Sequence, residues 1–282
     1  MTDRLVLLGT KGGPAVRPGS AMPTSSFLEI AGRRIVVDCG LGVTRGLADA
    51  GVEPGSVDAV LITHLHSDHV LELGPLLHTA WTSGLSREVQ VFGPPGLVAY
   101  WEGFLASMRY DIDLRIADEG RPDLRRLVLL REHGPGTVGV EGLGVTACAA
   151  RHPPVEHCHA LRVEGPRGAV VFSADTAPHP PLEDFAREAA VLVHEAMLPE
   201  GVGRIVERVG GGAALRAHIE RSHSTAGEAG RLAARAGVGH LVLHHLIPSD
   251  DPSFGEADWL AAAREGFDGR VTVGRDGLEI SL

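Results

Sequence analysis

The chain has 282 residues, 44% hydrophobic and 22% charged, which is enough to bury a sizeable core and too apolar for a disordered polypeptide. Its net charge of −10 repels phosphate backbones and anionic membranes, and no basic run offsets it, because Arg33-Arg34 and Arg125-Arg126 are only pairs. Three cysteines (Cys39, Cys148, Cys158) without CxxC spacing exclude a disulfide framework and fit a reducing, cytoplasmic compartment.

Short apolar stretches bounded by glycine, proline and polar residues read as strands, and stretches with helical apolar spacing read as helices. The opening, Met1-Thr2-Asp3-Arg4 followed by four apolar residues and Gly9, is too short for a secretory segment. In chain order the pattern predicts strands at 5–8, 27–30 and 34–37, a helix at 43–50, a strand at 59–63 and a helix at 71–79. A strand at 89–92 and a helix at 97–107 follow, then strands at 124–130, 145–149, 161–163 and 169–173. The remainder reads as a helix at 182–189, a strand at 191–194, a helix at 226–236, a strand at 241–244, a helix at 257–265 and a strand at 271–273. Thr225 and Glu228 have capping-box spacing, and Gly237 supplies a stop for the same helix. The longest apolar run, 189–193, falls far below the roughly 18 residues that span a bilayer, so no membrane segment is expected. No repeat or low-complexity linker divides the chain, which is read as one domain, 1–282, with mixed α and β structure around a sizeable sheet. Gly210-Gly211-Gly212 marks its most flexible point.

Histidine is the outlier, at 15 residues. Residues 58–69 read Asp-Ala-Val-Leu-Ile-Thr-His-Leu-His-Ser-Asp-His, a buried strand followed at once by His64, His66, Asp68 and His69. In extended backbone, positions i, i+2 and i+4 share a side, so His64, His66 and Asp68 can converge. Imidazole and carboxylate are ligands that zinc and related divalent ions prefer. Four donors in six residues exceed what one ion takes from a short loop, which suggests two adjacent metals.

This string resembles the signature of the metallo-β-lactamase fold superfamily, and three later segments match in order. Residues 151–163 resemble the third-histidine segment, with His152 as ligand. Phe172-Ser173-Ala174-Asp175-Thr176 resembles the segment carrying a bridging aspartate, here Asp175. Leu241-Val242-Leu243-His244-His245-Leu246 resembles the last motif. His245 is its matching ligand, although His244 stands where a small polar residue is common, so the choice between the two falls to geometry. The resemblance covers nearly the whole chain and is closest to the tRNase Z and arylsulfatase-like phosphodiesterase branch. It implies an α+β fold, a four-layer αββα sandwich. It further implies a dinuclear hydrolase with His64, His66 and His152 on one metal, Asp68, His69 and His245 on the other, and Asp175 bridging. Zinc is expected, with manganese and iron compatible. The nucleophile would be a hydroxide shared by metals roughly 3.5–4 Å apart. Asp68 would orient it or take its proton.

Arg221-Ser222-His223-Ser224-Thr225 resembles the segment in which that branch places a catalytic histidine, so His223 is the expected proton donor or oxyanion contact. Asp38 and the pair His194-Glu195 each lie at the end of an apolar strand and could hold a metal-bound histidine from behind. His157, Trp81 and Tyr110 are candidates for a substrate wall. His78, His133, His179, His218 and His240 are given no role. Lys11 is the only lysine in the chain, and Gly9-Thr10-Lys11-Gly12-Gly13-Pro14 lacks the length and lysine placement of a P-loop. The expected substrate is a small phosphodiester, with a lactone or other carboxylic or sulfuric ester as the alternative. Nucleic acid is disfavoured: His152 and Asp175 are 175 − 152 = 23 positions apart, which leaves no room for an inserted tRNA-gripping arm. A non-catalytic metal-binding module ranks lower still, since all seven ligand positions are filled. A homodimer is compatible with the branch.

Overall fold

A computed structural model describes residues 3–282 as two seven-stranded sheets with helices outside both. The first sheet runs edge to edge as β14 (Leu278–Ser281), β1 (Arg4–Gly9), β2 (Ser25–Ile30), β3 (Arg33–Val37), β4 (Ala59–Leu61), β5 (Val89–Gly93) and β6 (Val128–Glu132). The second runs β13 (Arg270–Val273), β12 (His240–Ile247), β11 (Val191–Met197), β10 (Val170–Phe172), β9 (His159–Val163), β8 (Val145–Ala149) and β7 (Gly136–Val138). In each sheet one half is antiparallel, where short loops suffice, and the other is parallel, where helices make the crossovers.

Side-chain alternation builds the layers. Leu5 and Leu7 of β1 point between the sheets, while Val6 and Leu8 point to the outer helices. In β12, Val242 joins the inter-sheet core and Leu241 and Leu243 pack outward. Helices α1 (Val43–Asp49), α2 (Ser67–Val70), α3 (Leu73–Thr82), α4 (Leu97–Glu119) and α5 (Leu124–Leu127) belong to the first half of the chain. On the second sheet follow α6 (Pro180–Phe185), α7 (Pro199–Val209), α8 (Gly212–Ser222), α9 (Ala226–Ala236) and α10 (Glu256–Arg264). Three apolar layers separated by two sheets give the αββα order, and each fully buried leucine contributes about 1.5–3 kcal/mol.

The expected and observed elements differ where local chemistry was misjudged. The predicted strand at 124–130 begins as α5, because the Asp123 carboxylate accepts from the Arg125 amide at 3.0 Å and starts a helical turn. Helix α4 runs past 107 to a left-handed Gly120, supported by ion pairs of Arg115 with Asp111 and Glu119 one turn away on either side. The helix predicted over 182–189 ends at Phe185, before left-handed Glu188. Helices α2, α7 and α8 and strands β7 and β14 were not anticipated, and Gly210-Gly211-Gly212 is the turn between α7 and α8. Asp276, just before β14, accepts from the Thr10 amide (3.0 Å), the Thr10 hydroxyl (2.8 Å) and the Met22 amide (2.7 Å), tying down the loop after β1. No helix among the described residues is long and apolar enough to cross a membrane.

Candidate metal centre

The polar residues converge where parallel strands end, the usual place for a site in an open sheet. Beyond β4 the chain stays extended through His64 and His66, then turns helical at Ser67. That turn overrides the extended spacing expected across 64–68: Asp68 leaves His64 and His66 and joins His69. The remaining donors arrive from the far sheet, His152 ahead of β9, Asp175 after β10 and His245 within β12. Asp38, Ala174 and His245 all take left-handed backbone (φ 61°, 56° and 43°), strain of a kind that concentrates at functional sites. At His245 the cause is visible. The β11–β12 register slips so that Glu195 pairs with His244 and Ala196 with Leu246, leaving His245 bulged toward the donors.

Two donor groups result, His64, His66, His152 and Asp175 on one side and Asp68, His69 and His245 on the other. Asp175 lies between them. Its Oδ2 is 3.8 Å from Nε2 of both His64 and His152 and 3.2 Å from His245 Nε2, and its Oδ1 is 3.3 Å from His69 Nε2. Asp68 Oδ2 is 3.3 Å from His245 Nε2 and 3.7 Å from His69 Nε2. The far ring nitrogens are already occupied: His69 Nδ1 by Asp38 (2.8 Å), His64 Nδ1 by the Thr63 hydroxyl (3.1 Å) and His152 Nδ1 by the Ser222 carbonyl (2.9 Å). Each ring is thereby oriented with Nε2 inward. His64 Nε2, His69 Nε2 and Asp175 Oδ1 are buried without a hydrogen-bond partner, as is His245 Nδ1. Unsatisfied buried groups cost about 1–3 kcal/mol each. Several gathered at one point, all imidazole or carboxylate, fit a pair of divalent cations.

The charges fit for most of the donors. At His69 burial alone would lower the ring, but the Asp175, Asp38 and Asp68 carboxylates outweigh it and hold the ring well above its ordinary pKa, a positive charge that a bound divalent cation would replace. Burial holds the His64 pKa well below its ordinary value and lowers that of His152 to about 4, so both rings are neutral and ready to ligate. Burial alone would raise Asp175, but the His245 and His69 charges outweigh it and keep the carboxylate ionised. Asp68 is likewise lowered against its burial, chiefly by His69 and His245, and its Oδ2 also accepts from the Gly13 amide at 2.8 Å.

Around this core the structure places the other candidates unevenly. Asp38 accepts from the Thr63 amide and reaches His69, so it stands behind a donor as expected. His223 lies between α8 and α9 with Nδ1 2.8 Å from Glu195 Oε2, and it also forms a donor trio with Asp175 and His245. His194 does not reach the site. Alternation along β11 turns it outward with Leu192 and Ala196, its Nδ1 on the Glu195 carbonyl, and sends Glu195 inward instead. His244 faces the space between the sheets, its pKa lowered to about 3 by burial, and is not among the donors. Trp81 is 1% exposed in the outer core with its indole N–H on the Pro122 carbonyl, and Tyr110 is 82% exposed on α4. Neither lines the site, because α3 and α4 cover the opposite face of the first sheet. His157 is exposed and likewise outside the cleft.

The wall is made by elements the sequence did not single out. A cleft of about 380 Å³ opens over His66, Asp68, Asp175, His223 and His245. Its sides are the 11–17 loop and the apolar faces of α7 and α8, with Ile205, Leu215 and Ile219. Lys11, Arg17, Arg208 and His218 also face it. The spacing of Val202, Ile205, Val206 and Val209 was the available signal for α7, masked by Gly201, Gly203 and Gly210.

Residues 33–246 match the family described as "Beta-lactamase superfamily domain". A protein named Ribonuclease Z from Mycobacterium marinum is 35% identical over 276 residues, 96% of each chain, and one from Mycobacterium sp. (strain KMS) is 37% identical over 278 residues, 96% of this chain and 93% of that one. The metallo-beta-lactamase fold protein YhfI from Bacillus subtilis superposes with a TM-score of 0.74 at 20% identity over the full length of both chains. The short form of human tRNase Z gives 0.70 at 20% identity, covering 99% and 98%. These relatives overturn the expectation of a small-molecule ester as substrate with nucleic acid disfavoured and tRNA 3′ processing ranked low. Proteins named as ribonucleases align nearly end to end with this chain, so a missing inserted arm excludes nothing, and a net charge summed over the molecule does not describe the cleft.

Proposed function

Because the chain belongs to the beta-lactamase superfamily of metal-dependent hydrolases, we propose that it is an RNA phosphodiesterase of the ribonuclease Z kind, cutting the 3′ trailer from precursor tRNA in the cytoplasm. The observation that carries this reading is Asp175 lying within 3.8 Å of ring nitrogens from both donor groups, on the floor of a cleft whose wall holds Lys11, Arg17 and Arg208. His64, His66 and His152 would hold one ion, Asp68, His69 and His245 the second, and Asp175 both, with zinc suited to this donor set. Two bound cations supply Lewis acidity toward a phosphoryl oxygen and make water acidic enough to attack near neutral pH.

The chain's own groups do the rest. Asp68, fixed by the Gly13 amide, orients the attacking water and accepts its proton. With Nδ1–H held by Glu195, His223 in its protonated form gives the Nε2 proton to the departing ribose oxygen and returns to the neutral imidazole. Glu195 is thus a positioning residue. The apolar faces of α7 and α8 exclude bulk water and offer a surface on which a base can rest. The test is incubation of the zinc- or manganese-loaded protein with a precursor tRNA carrying a 3′ trailer. A single cut that vanishes in His66→Ala is expected, and RNA left whole with either metal present defeats the reading.

A further inference from the structure

The one lysine of the chain is buried in the cleft with almost nothing to bind. Lys11 is 6% exposed, and its ammonium makes one hydrogen bond, to the Gly12 carbonyl at 3.2 Å. Among the described residues no carboxylate lies within ion-pair reach of it. Burying a cation this way is unfavourable unless a partner completes it. Its backbone is held firmly, since the Lys11 amide donates to Met22 O (2.9 Å), its carbonyl accepts from the Thr24 hydroxyl (3.2 Å), and the Gly12 amide donates to Leu246 O (3.1 Å). Nearby, Asp250 joins two further cations, accepting from Arg17 at 3.0 Å and from Arg208 of α7 at 2.8 Å. Three positive groups and one negative therefore line one wall of a cleft in a chain of net charge −10.

The wall adjoins the donors. A Cβ on Gly12 would sit 2.9 Å from His245 Cε1, and the Gly13 amide reaches Asp68. Building on the ribonuclease reading, we propose that Lys11, flanked by Arg17 and Arg208, forms an anion subsite for the phosphate neighbouring the scissile one on the RNA strand. An ammonium is a point charge suited to a phosphate approached from several directions, and the two guanidiniums, braced by Asp250, set the rim.

The experiment pairs a change in the protein with a change in the RNA. Substrates carry one neutral methylphosphonate on either side of the cut, and the metal-loaded full chain is compared with Lys11→Met and Lys11→Arg, metal content being checked in each. Neutralising one of the two positions lowers wild-type kcat/KM about tenfold, Lys11→Met loses about as much on the natural RNA, and the two losses do not multiply. Lys11→Arg recovers much of the loss. In parallel, fluorescence anisotropy with a short single-stranded RNA gives Lys11→Met a shallower dependence of log affinity on log salt, by about 0.7. Losses that multiply to about a hundredfold, or an unchanged salt slope, overturn the subsite. A wild type that cuts no RNA overturns the parent reading instead, while the salt slope still judges the subsite.

Discussion

Adjacent residues on β11 meet opposite environments, and each makes its own prediction. His194 is 1% exposed, and burial lowers its pKa to about 4. Since that lies below the ordinary imidazole value of 6.5, the unfolded chain takes up the proton first. His194 therefore stabilises the fold fully above pH 6.5, and that contribution, at most about 3 kcal/mol, is lost as pH falls toward 4. Denaturant titrations of the metal-free protein at several pH values will show His194→Asn losing less stability over this range than wild type. One position on, the Glu195–His223 pair serves the reaction. His223→Ala is expected to lower kcat on precursor RNA by about 10²–10⁴-fold with both metals retained by elemental analysis. Loss of one ion would instead count His223 among the ligands, as its trio with Asp175 and His245 allows. Which of His194 and Glu195 turns inward was legible from strand alternation once either was tied to the site. The choice between His244 and His245 was not, because a bulge is a property of the pairing and not of one strand.

At the level of elements, strongly apolar strands and the capped helix α9 were readable from sequence, and α9 spans Ala226–Ala236 as expected, with its capping box formed. Replacing Thr225 by alanine should cost about 1 kcal/mol in denaturant unfolding. What escaped were elements whose stability comes from the tertiary setting. Helices α7 and α8 carry five glycines between them and their turn, and they fold because Val202 and Ile219 pack on Met197 and Ile247. The 11–17 loop is hard to read locally, since beside Ser20, Met22, Thr24 and Asp68 its partners include Leu246 and Asp250, more than 200 residues away. Gly12 shows how tightly that loop is seated. A methyl group there would lie 2.5 Å from Ile247 Cγ1 and press on His245. Gly12→Ala should lower occupancy of the second metal position, measured by titration with zinc, while occupancy of the first is retained.

For the molecule as a whole, the metal centre gathers donors from position 64 to position 245, so its occupancy and global stability are linked. Saturating metal at 100 times its dissociation constant adds about 2.7 kcal/mol per site, and a chelator should lower the melting temperature of wild type more than that of His66→Ala. The fold class, and the residues that gather into the two donor groups, could be read from four histidine and aspartate motifs, whereas the substrate could not be read from a net charge of −10, because three cations on one wall are invisible in a sum. The carboxylate of Asp276 has an implication for the order in which the protein matures. It clasps Thr10 and Met22, and β14 zips onto β1 with Arg4 opposite Ser281. Asp276 must therefore be synthesised before the loop after β1 acquires its anchor, so that segment, among the early ones to leave the ribosome, waits unclasped while more than 250 further residues emerge.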